Sequence, residues 1–165
     1  MATMTTSSPR SMEGKVAVSR SRSGTERCSK RLTRAYDLDM TEFTVNLANR
    51  PGMLAALTET LAAAGVMIEA LAAFGLDEEG YVRVIVDNAG ATRQALRSAG
   101  LTASERTVLT ATLAPRPTAL AEMTRSLADS GVNIDAMYLL NSCAEGLEYA
   151  VAVNEPERAR AHLPY

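Results

Sequence analysis

The chain has little histidine or cysteine: a single His162, and two cysteines, Cys28 and Cys143. One histidine leaves little material for a histidine-based catalytic triad or a histidine-rich metal site. The two cysteines lack the spacing of zinc ligands, and neither a metal site nor a disulfide framework is indicated. No P-loop or dinucleotide fingerprint occurs. The sequence therefore predicts a protein that is not an enzyme and that uses no metal or cofactor.

Long apolar runs are also absent, and no stretch approaches the length of a membrane span. The 165 residues, 47% of them hydrophobic, are typical of one ordinary globular domain or two small ones. The net charge of -2 is unevenly distributed, because residues 1–35 carry eight basic and two acidic side chains, a net +6, which leaves -8 for the remainder. An acidic folded part argues against nucleic acid as the main partner. We expect a cytoplasmic protein with neither a nucleic-acid nor a membrane partner.

Residues 1–39 are rich in Ser, Thr and Arg and show no sustained apolar periodicity, which predicts a disordered basic tail. Such a segment is compatible with an organellar transit peptide, or with a tail that contacts nucleic acid or anionic membrane. A third interpretation is an upstream extension from a misplaced start codon, since Met40 stands immediately before the first strand pattern. The lack of an apolar h-region favours this extension, or an inert tail, over targeting.

From Met40 onward, alternating and helical apolar patterns predict a regular series of strands and helices. The series is a strand at 41–48, a helix at 51–64, strands at 66–75 and 80–87, a helix at 90–99 and a strand at 104–113. A helix carrying Leu120, Met123 and Leu127 follows, then a strand at 132–140, a turn at 144–146, a strand through 149–153 and a short helix from Pro156.

The series contains an internal repeat. Shifted by 66 positions, several residues fall on an identical residue, among them Pro51 on Pro117, Leu54 on Leu120, Gly65 on Gly131 and Ile68 on Ile134. Each unit has the order βαββαβ only if its last strand comes from the opening segment of the next unit or from the chain end, and the strand at 104–113 can serve as either. The predicted fold is α+β, with two ferredoxin-like units at 40–103 and 104–165 whose antiparallel sheets carry helices on one face.

The turn between the first strand and the first helix is the most informative segment. Pro51 suits a first helical turn, and Gly52 lets the backbone approach a ligand closely. The exposed N–H groups of the helix start can receive an anionic group such as a carboxylate. On local chemistry alone a plain turn is the simpler interpretation, since helix N-termini far outnumber ligand sites.

The motifs around this turn resemble a known family. Asn49-Arg50-Pro51-Gly52-Met53-Leu54, followed after a helix by Gly65-Val66-Met67-Ile68, is similar to the N-x-P-G-x-L and G-V-N-I signatures of the ACT domain, a small regulatory amino-acid-binding module. The second unit supplies Gly131-Val132-Asn133-Ile134-Asp135-Ala136, which is closer still to the second signature. The resemblance extends from Met40 to Leu163 and most closely suggests the stand-alone tandem ACT proteins.

The resemblance implies two ACT units side by side, their sheets joined into one eight-stranded sheet, with a free amino acid bound at the seam. The loop of one unit would meet the second strand of the other there. An asparagine amide can both donate and accept, so it can serve either end of a zwitterion. The implied ligand-binding residues are Asn49, Arg50, Pro51, Gly52, Met53, Leu54, Asn133 and Ile134.

The two units differ at these positions, and the losses are complementary. Asn49 aligns with Pro115, Gly52 with Thr118, and Asn133 with Met67, and so only the combination of the Asn49 loop with Asn133 keeps both asparagines. One amino-acid site per chain is therefore predicted.

The implied function is a regulatory protein that binds a free amino acid between two ACT domains and signals to an unknown partner protein in trans. The alternative is a ligand-free ACT module for oligomerisation or protein docking. Exposed edge strands invite pairing between copies, and we expect a homodimer.

Overall fold

The computed structural model describes residues 39–143 and 146–164, and every structural statement below concerns those ranges. The described chain contains six strands and four helices. They are β1 (Met40–Ala48), α1 (Met53–Ala63), β2 (Ile68–Leu76), β3 (Glu79–Val86), α2 (Ala89–Ser98), β4 (Ala103–Leu113), α3 (Ala119–Asp129), β5 (Ile134–Cys143), β6 (Gly146–Val153) and α4 (Pro156–Arg160).

The predicted elements agree with the observed ones to within three residues, and the start of α1 shows why they differ. The sequence predicts a helix from residue 51, whereas α1 begins at Met53. Gly52 precedes it as the N-cap residue with φ 90° and ψ -19°, a left-handed conformation that helical residues do not adopt. Pro51 therefore belongs to the turn and not to the helix.

The predicted disordered tail, residues 1–39, lies outside the described residues except for Asp39. The Asp39 carboxylate accepts hydrogen bonds from Nη2 of Arg160 at 2.6 and 2.7 Å. The start of β1 is thus tied to α4 at the other end of the described chain. Two residues of the predicted turn at 144–146, residues 144 and 145, also lie outside the described ranges.

All six strands belong to one sheet with the order β2-β3-β1-β4-β6-β5. Every neighbouring pair is antiparallel. The first four strands, with α1 and α2, complete the βαββαβ sequence of a ferredoxin-like unit. The predicted α+β class with an antiparallel sheet is confirmed.

The long strand β4 belongs to both halves of the molecule. Its first part pairs with β1, from Ala103 opposite Val45 to Val108 opposite Met40. Its second part pairs with β6, from Leu109 opposite Val151 onward. The sequence left open whether this segment closes the first unit or opens the second, and the structure shows that it does both.

The resemblance implies an eight-stranded sheet, whereas the sheet formed by the described residues has six strands. Sharing β4 between the halves removes one strand from the expected number. In the described part of the chain, the second half also has no strand at the position where β4 stands in the first half. There, the Thr112 N–H donates to the carbonyl of Pro164 at 3.1 Å, so the end of the described chain takes part of that position.

The sheet bends about β4 so that its two parts face each other. Tyr138 on β5 donates from its hydroxyl to Oε2 of Glu42 on β1 at 2.5 Å, although β4 and β6 separate these strands in the sheet order. In a flat sheet the gap between β1 and β5 would be about 14 Å, since neighbouring strands lie about 4.8 Å apart. The side-chain contact therefore requires the helix-free faces of the two parts to pack together.

Three apolar clusters follow from this arrangement. Two lie beneath the helices, one in each half, and contain the inward residues that the alternation predicts, such as Phe43, Val45, Leu47, Leu109, Ala111 and Leu113. The third lies between the helix-free faces and is built on Ile85, Val108, Ala150 and Ala152. This third cluster makes the two halves one packed body.

Candidate functional site

Asn49 directly follows β1 and is held against the hairpin that joins β2 to β3. Its backbone N–H donates to the carbonyl of Glu78 at 2.7 Å, and its Nδ2 donates to the carbonyl of Asp77 at 2.8 Å. Gly75 makes room for the amide, because a Cβ atom at that position would lie 2.5 Å from the Asn49 Nδ2. The Asn49 amide is therefore fixed through its nitrogen, and its oxygen remains available as an acceptor.

The segment from Arg50 to Leu54 forms a tight turn that opens α1. The Arg50 N–H donates to the carbonyl of Ala48 at 2.9 Å, and the Met53 N–H donates to the carbonyl of Arg50 at 3.3 Å. No side chain caps the helix, and its first turn contains no acidic residue. Among the described residues, the N–H groups of Gly52, Leu54 and Ala55 have no hydrogen-bond acceptor.

These unpaired N–H groups lie at the positive end of the α1 dipole. The exposed guanidinium of Arg50 follows Asn49 directly and forms no ion pair with any described residue. The loop thus offers N–H donors and a positive charge at one place, an arrangement that suits a carboxylate.

The equivalent loop of the second half forms the same turn, but its arginine is bound to a carboxylate of the same chain. Its Arg116 N–H donates to the carbonyl of Ala114 at 2.7 Å, as Arg50 does to Ala48. The Arg116 guanidinium, however, is bound to Thr118 and to the carboxylate of Glu122 in the first turn of α3. The hydrogen bonds from Arg116 and then Thr118 lower the pKa of Glu122 to about 2. The second loop therefore already holds a carboxylate of its own.

Asn133 stands immediately before β5, and both its backbone and its side chain are bonded. Its backbone N–H donates to Oδ1 of Asn154 at 2.9 Å, and its Nδ2 donates to Oδ1 of Asp135 at 2.8 Å. The equivalent Met67 repeats the backbone contact, to Oδ1 of Asp87 at 2.9 Å, and offers an exposed thioether. Like Asn49, Asn133 presents an amide oxygen. Ile134, the next residue of the predicted set, is half-buried against the core of the second half.

Within one chain, the described hydrogen bonds do not join Asn49 to Asn133. The first is bonded to the β2–β3 hairpin and the second to the start of β5 and the end of β6. Asn49 lies at the end of β2 through its bond to Asp77, and Asn133 directly precedes β5. The strands β2 and β5 are the two outer strands of the sheet, and each has a neighbouring strand on one side. The predicted residues thus belong to two hydrogen-bonded groups, Asn49–Leu54 and Asn133–Ile134, with no described hydrogen bond between them.

Two features of the site were not predicted from the sequence. Glu42 is fully buried, because the second half of the sheet covers the face of β1 opposite Phe43 and Val45. Asp135, which the sequence shows only as part of the Gly131–Ala136 motif, binds the Asn133 amide. A period-2 pattern shows that Glu42 lies opposite the apolar face, but it does not show what packs there.

The described residues contain neither a cluster of metal-ligating side chains nor a membrane-spanning helix. Residues 39–143 and 146–164 contain no group of three or more side chains that could hold a metal ion. No helix in the same ranges is long and apolar enough to cross a membrane.

Comparison with known proteins gives a likeness of fold. No protein-family model and no curated protein sequence matches the chain. A solved protein from Bacteroides thetaiotaomicron superposes with a TM-score of 0.68 at 22% identity, covering 74% of this chain and 85% of that one. The regulatory subunit of aspartate kinase from Thermus thermophilus gives a TM-score of 0.58 at 23% identity, covering 77% and 89%.

A structure of aspartokinase alpha and beta subunits gives a TM-score of 0.54 at 16% identity and covers 70% of this chain and 83% of the other. All three identities are below 25%, so the likeness concerns the fold. That shared fold supports the ACT fold implied by the sequence motifs.

Proposed function

We propose that this chain is a tandem ACT protein that binds a free amino acid and regulates a separate partner protein. The observation that carries the proposal is the difference between the two equivalent loops. Arg50 and the start of α1 have no bound carboxylate among the described residues, whereas Arg116 and the start of α3 are occupied by Glu122. The first loop is therefore the one that can accept a carboxylate from outside.

The two asparagines suit the other end of a zwitterion. Both use their side-chain nitrogen internally, to Asp77 and Asp135, and so both offer an oxygen. An ammonium group donates three hydrogen bonds and accepts none, and amide oxygens are matching acceptors. The proposed arrangement places the carboxylate at Arg50 and the α1 N-terminus and the ammonium at the oxygens of Asn49 and Asn133.

A second copy of the chain would bring these two groups together. Both β2 and β5 are outer strands, and the Asn49 loop lies at the end of β2 through its bond to Asp77. If β5 of a second copy adds antiparallel to β2, the start of that β5 comes opposite the end of β2, beside the loop. The proposed site is thus completed between copies, with one site per chain in a homodimer.

The likeness to the aspartate kinase regulatory subunit supports a regulatory role and an effect on a partner in trans. The alternative, a ligand-free module for oligomerisation or docking, is favoured by the exposed apolar side chains on β2, where Leu71, Phe74 and Leu76 are 40%, 51% and 64% exposed. An amino-acid screen separates the two candidates.

The test is a thermal-shift screen of the twenty amino acids, followed by calorimetry on the amino acid with the largest shift. Binding to the native state alone raises the melting temperature. We expect one site per chain, and we expect Asn49→Ala and Asn133→Ala each to weaken binding by about 1 to 3 kcal/mol, and together by less than the sum.

Asn46→Ala is the matched control, because Asn46 is an exposed asparagine on β1, three residues before Asn49. It should leave the affinity unchanged. Two equivalent sites per chain, or full affinity in Asn133→Ala, would contradict the composite site. No shift with any amino acid would favour the ligand-free module.

A further inference from the structure

A continuous series of polar contacts runs from Asn133 to the middle of the molecule. Asp135 accepts from the Asn133 Nδ2 at 2.8 Å through one carboxylate oxygen and from Nη1 of Arg106 at 3.2 Å through the other. Arg106 donates in turn from Nε to Oε1 of Glu42 at 2.8 Å. Three side chains thus connect the start of β5 to β4 and β1.

The series ends in a buried cluster between the helix-free faces of the sheet. Glu42 is fully buried, and its second carboxylate oxygen accepts from the Tyr138 hydroxyl at 2.5 Å. Burial and then the hydrogen bond to Glu42 raise the pKa of Tyr138 to about 12, against an opposing effect of Arg83. Arg83 also donates from Nη1 to the backbone carbonyl of Asp135 at 3.5 Å.

This cluster leaves two donors unsatisfied. Nε of Arg83 and Nη2 of Arg106 are buried without a hydrogen-bond partner among the described residues. A buried donor without a partner destabilises the arrangement in which it occurs.

We propose that Asp135 is a positioning residue that orients the Asn133 amide and couples it to the Glu42–Arg106–Tyr138 cluster. The proposal rests on the proposed function, because Asn133 is taken there as a ligand-binding residue. With its nitrogen held by Asp135, the Asn133 amide presents its oxygen, which selects a cationic group such as an ammonium. A ligand that moves the Asn133 amide also moves Asp135 and its bond to Arg106.

Among residues 39–143 and 146–164, this series of contacts occurs once. The residue of the second half that corresponds to Glu42 at the 66-residue offset is Val108, an apolar member of the cluster between the faces. Met67, which corresponds to Asn133, has no side-chain amide. The coupling therefore links Asn133, one of the two asparagines of the proposed site, to the contact between the two halves, and no symmetric copy of it occurs among the described residues.

The first test observes the Asn133 side-chain amide by two-dimensional NMR of the full chain without any ligand. We expect Tyr138→Phe and Glu42→Gln to shift the Asn133 Nδ2H2 resonances although neither residue touches Asn133. Tyr138→Phe removes only a hydroxyl and so is the milder of the two variants. Resonances that stay in place in both folded variants would overturn the coupling.

Glu105→Gln is the matched control. Glu105 precedes Arg106 on β4, and its carboxylate pairs with Arg93 on α2, on the opposite face of the sheet, at 2.7 Å. This variant removes an ion pair of the same strand without touching the cluster, and it should leave the Asn133 resonances unchanged. A shift as large as that of Tyr138→Phe would mean that the resonances report general strand disturbance, which also overturns the proposal.

The second test measures the affinity of Asp135→Asn for the amino acid with the largest thermal shift in the screen. We expect affinity about tenfold weaker, with the melting temperature of the unliganded variant changed no more than in Tyr138→Phe. Unchanged affinity would overturn the positioning role. If no amino acid shifts the wild-type melting temperature, the proposed function fails, and the NMR test alone decides whether Asp135 couples Asn133 to the cluster.

Discussion

At the scale of single residues, Gly52 and Thr118 show how two equivalent turns come to differ. Both precede the first residue of a helix, and both turns repeat the same backbone hydrogen bonds. Gly52 has φ 90°, whereas Thr118 has φ -85°. The first loop thus uses a conformation that favours glycine, while the second uses one open to any residue.

Substitutions at Gly52 test whether the positive φ or the space around the residue limits which side chain is tolerated there. Nothing lies within 4 Å of a Cβ atom placed on Gly52, so a side chain meets no neighbour there. We expect Gly52→Val to lower the free energy of unfolding by about 1 to 2 kcal/mol because of the positive φ. Gly52→Asn should cost less, since asparagine tolerates the left-handed region.

Urea unfolding followed by circular dichroism measures both variants. An equal cost for valine and asparagine would show that the positive φ is not the constraint. Amino-acid binding supplies a further readout, because a valine side chain at the start of α1 would stand beside the N–H groups proposed to receive the carboxylate.

The sequence predicts a site at the Asn49–Leu54 loop, which stays a prediction, but it does not predict the hydrogen-bond partners of that loop. The motif Asn49–Leu54 and the loss of asparagine at Pro115 were visible in one chain, because identical spacing repeats in the two units. The carbonyl of Asp77 that holds Asn49 and the arginine that holds Asp135 come from other elements. Such contacts depend on how strands are brought together, which a local pattern does not specify.

At the scale of elements, β4 connects the two halves more closely than a linker would. Its residues Ala103–Val108 complete the first half, and Leu109–Leu113 open the second. The alternation predicted a strand here, and the repeat predicted two possible roles. It did not predict that both roles are filled at once, because a period-2 pattern identifies the buried face of a strand and not its neighbours.

Because β4 pairs with strands of both halves, we expect the two halves to unfold together. Leu109 is buried in the core of the second half, and Leu109→Ala should cost about 2 to 5 kcal/mol. We expect amide hydrogen exchange to accelerate equally in β1 and in β6, with one cooperative transition. Faster exchange in β6 with unchanged protection in β1 would show that the halves are independent, as the predicted division between 103 and 104 implies.

At the scale of the whole molecule, the repeat predicted two similar units, and the structure adds how they meet. Side-by-side units would expose both helix-free faces, whereas the bend about β4 buries Ile85 and Val108 against Ala150 and Ala152. Small residues on β6 permit this close approach of the faces. The number of strands differs from the expectation because β4 serves both halves.

The bend leaves β2 and β5 as the outer strands, and β2 carries three of the six exposed large apolar side chains of the described residues. An unpaired edge with apolar side chains favours pairing with another strand. In the proposed dimer, this edge brings the Asn49 loop of one copy to Asn133 of the other. Self-association and amino-acid binding should then depend on the same strand.

Ala73→Lys tests this dependence, because a lysine in the middle of an edge strand opposes strand addition. Ala73 is an exposed residue of β2. We expect the wild-type chain to sediment as a dimer and Ala73→Lys to sediment as a monomer that has lost its amino-acid affinity. Ala62→Lys, an identical change at an exposed position of α1, should retain both properties. A monomeric Ala73→Lys variant that binds with full affinity would show that the site is complete within one chain, and an unchanged dimer would place the interface elsewhere.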